Sequence, residues 1–144
     1  MNPDKIKHLE FIQGVITRMN TNSFQIKGMA VAIVSALLAI FASTNNSIFF
    51  LCGIVPCVLF WFLDSYYLQQ ERKFRGIYND VAGLKNVIIV KPYEMPIHKY
   101  TRQINKQYSF WNVFKSKTIL WLYLPMIALL VLLFCCTGCF SCPK

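Results

Sequence analysis

Four of the six cysteines stand together near the C-terminal end, Cys135, Cys136, Cys139 and Cys142 in CCTGCFSC, and four thiolates are the number a tetrahedral zinc site takes. The spacing argues against that use. Cys135 and Cys136 are adjacent, the segment is short, and no second knuckle completes the set, so neither a metal nor a cofactor is expected. Three readings stay open: disulfides at an oxidising face, lipidation at a membrane boundary, or small apolar residues at a fraying helix end. Cys52 and Cys57 fall inside an apolar run and read as packing residues.

Other chemistry is thin. His8 and His98 are the only histidines, neither has a carboxylate pair near it, and both read as solvated polar side chains. There is no glycine loop to cradle a phosphate and no serine with a base in reach, so an enzyme is not expected. A basic cluster is left: Lys91, Lys99, Arg102 and Lys106, interleaved with Tyr93, Tyr100 and Tyr108. Cations beside aromatic rings suit anionic lipid headgroups, or the phosphates and bases of a nucleotide or a nucleic-acid strand. The partners expected are therefore further copies of the chain, anionic lipids, and a cytosolic protein or nucleotide signal, but not double-stranded DNA.

What must position these residues is a membrane. The 144 residues are 56% hydrophobic and only 15% charged, too apolar for a soluble domain of this size. The net charge of +9 lies in the gaps between apolar runs. Lys5, Lys7, Arg18 and Lys27 precede the first run, none falls between the first two, ten basic residues lie from Arg72 to Lys117, and only Lys144 follows the last. The positive-inside rule then puts the N-terminus and the long middle segment in the cytosol, with the chain multi-pass in an inner membrane. No cleavable signal peptide is expected, because the first strongly apolar run starts near Gly28, after a polar segment of mixed charge.

The predicted fold is an all-α membrane protein with three transmembrane helices, in four parts. Residues 1–23 form a cytosolic amphipathic helix, with Asn2 as cap and Pro3 at its first position; Leu9, Ile12, Val15, Ile16 and Met19 share one face, which either lies on the inner leaflet or, the preferred reading, packs on the arm that follows the second span. Asn22 or Ser23 caps the next helix, and residues 24–63 make a transmembrane hairpin turned by Thr44, Asn45 and Asn46. Residues 64–117 hold a cytosolic helical arm and the basic segment, in which Asn86–Val90 reads as a short strand or extended stretch and Ser109–Lys117 as a half-buried interfacial helix. Residues 118–144 supply the third span and the Cys-rich tail.

Two patterns point to assembly. Phe60, Leu63, Tyr67, Phe74, Ile77, Val81 and Leu84, broken only by Gln70, keep a 3-4 spacing through the second span and the arm, as helices that pack side by side require. Tyr67, Phe74, Ile77 and Val81 are the oligomerisation candidates; the same seam could instead cover another helix of its own chain. In the first span Gly28, Ala32, Ser35 and Ala39 form a stripe of small residues over which a neighbouring helix can approach closely.

The order of HLEFIQGVITRM, the NSF junction, a tight pair of spans and the arm FWFLDSYYLQQERKFRGIY resembles the layout of small bacterial membrane proteins of the SLATT and RipA-type octameric families over about residues 5 to 82. The resemblance implies a homo-oligomeric membrane assembly, pore-forming or membrane-perturbing in anti-phage or stress responses, with a non-pore anchor or scaffold that recruits a cytosolic partner as the alternative. Orientation can be checked first. Cysteines introduced at positions 75 and 102 should resist impermeant thiol reagents in intact cells and react after permeabilisation; labelling from outside reverses the topology.

Overall fold

The computed structural model describes residues 3–140, with side chains to residue 137, and the chain in it is helical throughout its regular structure. Helix α1 runs Pro3–Thr44, α2 Ile48–Ala82, α3 Phe110–Phe114 and α4 Lys117–Phe140, with short 3-10 turns at Ile97–Lys99 and Lys106–Tyr108. Helices α1, α2 and α4 are long and apolar enough to cross a membrane. Among the described residues there is no strand.

The expected break near residues 20–23 is absent, and α1 is one helix of 42 residues. Cap-forming residues are present there, but no Pro or Gly stands between residues 15 and 27. The hydroxyls of Thr17 and Thr21 donate to the carbonyls four residues earlier, Gln13 and Thr17, each at 3.0 Å, so they are satisfied without ending the helix. Helix α2 continues through Pro56 as expected but stops at Ala82. Gly83, at φ +84°, ends it: the Leu84 N–H reaches the Asn79 carbonyl at 2.8 Å and the Gly83 N–H the Asp80 carbonyl at 3.1 Å. Leu84 is consequently exposed and outside the heptad seam.

The chain divides into two compact units. The first comprises Met1–Phe24 and Ser65–Val113. Its core joins Ile12, Val15 and Ile16 of α1 to Phe74 and Ile77 of α2 and to Tyr100 and Tyr108 of the segment after α2. An irregular segment of this length has too little apolar surface to fold alone, and it contributes two tyrosines to a core that the helices supply otherwise. Those rings meet edge to face, with centroids 5.5 Å apart. Both lie on α2 at Gly76, where a Cβ would stand 2.8 Å from the Tyr100 ring and 2.5 Å from the Tyr108 hydroxyl. Only a glycine admits them.

The second unit comprises Gln25–Asp64 and Phe114–Lys144. Helix α1 buries Ile26, Ala30 and Val34, spaced by four, and the core is completed by Phe50 and Cys57 of α2 and Leu130 of α4. The α1–α2 turn is tight for a local reason. Asn45 takes a left-handed conformation (φ 52°) and donates to Phe41, while the Asn46 side chain accepts from the Ile48 N–H at 3.1 Å and caps α2. The interfacial helix is shorter than expected: α3 has five residues, and Ser116 then starts α4 by accepting from Ile119 and Leu120 at 3.1 and 3.0 Å.

Gly76→Ala should therefore destabilise the first unit by about 1–3 kcal/mol, the usual cost of overpacking. The check is denaturant unfolding of the detergent-solubilised protein, followed by tyrosine near-ultraviolet circular dichroism.

Candidate functional site

The most strongly built polar contact of the second unit is one that composition alone does not reveal. Asp64, which directly follows the apolar run on α2, is fully buried, and Lys27 on α1 donates to its Oδ1 at 2.9 Å and stands 2.9 Å from its Oδ2. Lys27 stands 18 residues before Asn45 and Asp64 stands 18 residues after Asn46. In an antiparallel hairpin turned at those asparagines, the two must arrive side by side, about 27 Å from the tip. That length is close to the roughly 30 Å hydrocarbon thickness of a bilayer. The symmetric spacing is present in the sequence, where Lys27 otherwise reads only as a topology signal.

In the first unit the equivalent centre is Asp80. Its carboxylate accepts from the backbone N–H groups of Val87 at 2.9 Å and Ile88 at 3.2 Å and from the Tyr100 hydroxyl at 2.6 Å. Burial first, and then the Asp80 hydrogen bond and charge, push the Tyr100 hydroxyl well above its ordinary value, so it remains a donor. Of the short strand or extended stretch expected at Asn86–Val90, the strand is not formed. Val87 and Ile88 lie in a bend that follows Asn86 at φ 51°, their amides are taken by the Asp80 carboxylate, and no strand lies among the described residues.

A third cluster lies around His8, which is 2% exposed instead of solvated, and whose Nε2 has no hydrogen-bond partner among the described residues. His98 is exposed, as expected. The His8 ring lies 5.8 Å from that of Tyr93, which is held at φ 61°, a strained conformation for an aromatic residue, and donates to Asp4 Oδ1 at 3.3 Å. Two cavities open beside these residues. One of about 330 Å³ is lined by Asp4, Lys5, His8, Asp80, Val81, Val90 and Pro92, and one of about 710 Å³ by Lys7, Glu10, Phe11, Tyr93 and Met95. The exposed aromatic residues Phe11 and Tyr93 give the larger cavity an apolar wall beside two charges of opposite sign.

Each of the four basic candidates, Lys91, Lys99, Arg102 and Lys106, is exposed. Lys99 Nζ pairs with Glu94 at 3.4 Å, and the Lys91 amide, followed by that ammonium, holds the Glu94 carboxyl below its usual range. Of the interleaved tyrosines only Tyr93 is open, because Tyr100 and Tyr108 are buried in the core. The stacking surface a nucleotide needs is thereby reduced to one ring, whereas headgroup contact through the lysines and Arg102 is unaffected.

Of the assembly candidates, Phe74 and Ile77 are buried in the core of their own chain, Val81 packs against that core and Tyr67 is half-buried. Gly28, Ala32, Ser35 and Ala39 are all exposed. Taken from the centre of the face that Ile26, Ala30 and Val34 share, they lie about 140–200° around the helix, and so face away from the hairpin core. Among the described residues no group of three or more His, Cys, Asp or Glu side chains is placed to hold a metal. Cys135 and Cys136 are exposed free thiols, while Cys139 and Cys142 lie outside the residues whose side chains are described. Comparison with protein-family models, curated proteins and solved structures finds no match to this chain.

Removing one partner of a buried pair leaves an uncompensated charge. Lys27→Met should cost about 3 kcal/mol, the low end of the usual range because Lys27 keeps some contact with solvent. Adding Asp64→Asn to that variant should recover most of the loss, as a double-mutant cycle by denaturant unfolding in detergent will read.

Proposed function

We propose that the protein is a homo-oligomeric inner-membrane scaffold. Its copies associate through their spans, and its first unit, at the cytosolic face, docks a partner protein. The observation that carries this reading is the exposure of Gly28, Ala32, Ser35 and Ala39 on α1. In lipid, helices gain nothing by hiding apolar surface from one another, so close approach over small side chains is the main source of association. The arm seam is spent inside the chain, through Phe74 and Ile77, which moves the expected contact between copies from the arm to the spans.

The same surfaces favour a scaffold over the pore-forming effector that the family resemblance implies. Between residues 28 and 43, 48 and 63, and 118 and 137 there is no Asp, Glu, Lys or Arg, so the spans offer no charged wall to a water-filled channel or a proton path. The nearest charges, Lys27 and Asp64, neutralise each other. The cleft of Phe11, Tyr93 and Met95 and the exposed basic segment are the surfaces available to a cytosolic partner, with anionic lipid beside them.

The test is the mass of the particle in mild detergent. The wild-type chain should run as an oligomer, and Ala32→Leu with Ala39→Leu should shift it toward monomer while leaving unfolding of the first unit unchanged. Liposomes carrying the wild-type protein should retain an entrapped dye. A monomeric wild-type particle removes the assembly, and dye release at oligomer-forming density returns the pore.

A further inference from the structure

Helices α2 and α4 leave between them, within the second unit, a groove of about 550 Å³ lined by Trp61, Leu124, Ile127, Ala128, Val131 and Leu132. Every lining side chain is apolar, and Leu124, Val131 and Leu132 are exposed. Trp61 cannot swing in to fill it. Its indole N–H donates to the Phe114 carbonyl at 3.2 Å, and its ring stacks on Phe114 at 4.5 Å and lies parallel to Tyr123 at 6.2 Å. The groove is a fixed feature whose head is an immobilised aromatic stack.

Its length and its charge identify what it holds. From Leu124 to Leu132 the helix rises about 12 Å, close to the roughly 15 Å of hydrocarbon in one leaflet. Lys117 stands seven residues before Leu124, which returns it to within about 20° of the same helix face and about 10 Å nearer the helix start. Lys117 and its neighbour Lys115 are exposed. A cation thus sits above an apolar slot of one leaflet's depth, at the end of the span that directly follows the basic stretch of the sequence from Arg72 to Lys117. A second copy fits less well, because copies inserted with one topology bring Lys115 and Lys117 to the same depth and repel.

We infer that this groove is a binding site for an anionic phospholipid of the inner leaflet, with one acyl chain along Leu124, Ala128 and Leu132 against Trp61 and the phosphate held by Lys117. Resting on the membrane reading above, the site adds a lipid of defined headgroup charge to the assembly. A phosphatidylcholine fits the slot equally but meets Lys117 with no net charge, so headgroup preference is what distinguishes a site from ordinary surrounding lipid.

The experiment uses the full chain with Trp111→Phe and Trp121→Phe, which leaves Trp61 as the only indole. It is reconstituted in phosphatidylcholine vesicles with a minor fraction of lipid brominated in the acyl chain, either phosphatidylglycerol or phosphatidylcholine. Brominated phosphatidylglycerol should reach half-quenching of Trp61 at about a five-fold lower mole fraction, the effect of one Lys beside an anionic surface. Lys117→Gln should abolish the preference, and Ala128→Phe, which fills the slot from the lipid side, should remove the quenching by both lipids. Equal quenching by the two headgroups in the parent protein overturns the site. So does protection of Trp61 from both lipids in an oligomer, which assigns the groove to a second copy. Native mass spectrometry of the wild-type chain with mixed lipids provides the same comparison without the tryptophan substitutions: retained phosphatidylglycerol supports the site, and equal retention overturns it. Failure of the protein to float with vesicles overturns the membrane reading itself.

Discussion

A carboxylate with no access to solvent, at the end of an apolar helix, has to be answered by a charge on the element beside it. Lys27 gives that answer to Asp64, and the requirement fixes much of the second unit. An isolated ionised carboxylate in such surroundings costs several kcal/mol, so sliding α1 against α2 by one turn is penalised far more than the loss of a few apolar contacts. The hairpin turn at Asn45 and Asn46 sets the same register from the other end. With both ends fixed, Ile26, Ala30 and Val34 are committed to the interior and the small residues of α1 to the outside.

The first unit meets a different problem. It has two helix segments and a long irregular stretch, and it solves the stretch's backbone requirements with side chains. Asp80 takes two amides and the Tyr100 hydroxyl, the Gln69 amide donates to the Tyr108 carbonyl at 2.8 Å, and Gly76 leaves room for both tyrosine rings. Polar groups that would otherwise be orphaned in a small core are each given a partner, which is how so short a segment can be held without a sheet. His8 is the exception. A buried ring nitrogen without a partner, beside a strained Tyr93, is the least satisfied place in the unit, and it lines the smaller of the two cavities described here.

For function, the distribution of exposure counts for more than any single motif. The membrane-depth surfaces are apolar and smooth, suited to other helices and to lipid, while the charges are gathered near the ends of the spans and in the first unit. The proposed scaffold, with copies held by their spans, a lipid in the α2–α4 groove and a partner on the cleft near Tyr93, would use each of these surfaces for the ligand its chemistry favours.

Some of this was decided by the sequence. Apolar run lengths determine three helices able to span, and Asn45 and Asn46 determine the hairpin, whereas the stop of α2 at Gly83 cut short a seam that reads on to Leu84. The sequence also contains the symmetric placement of Lys27 and Asp64 about the turn, since helical rise alone brings them level. Tertiary structure decided the rest. A heptad seam reads the same whether it faces another chain or its own, and only packing shows Phe74 and Ile77 against Ile12 and Ile16. A β-branched run reads as a strand until the carboxylate that takes its amides is found in space. Periodicity and composition are properties of neighbours along the chain, whereas what a side chain is buried against depends on residues dozens of positions away.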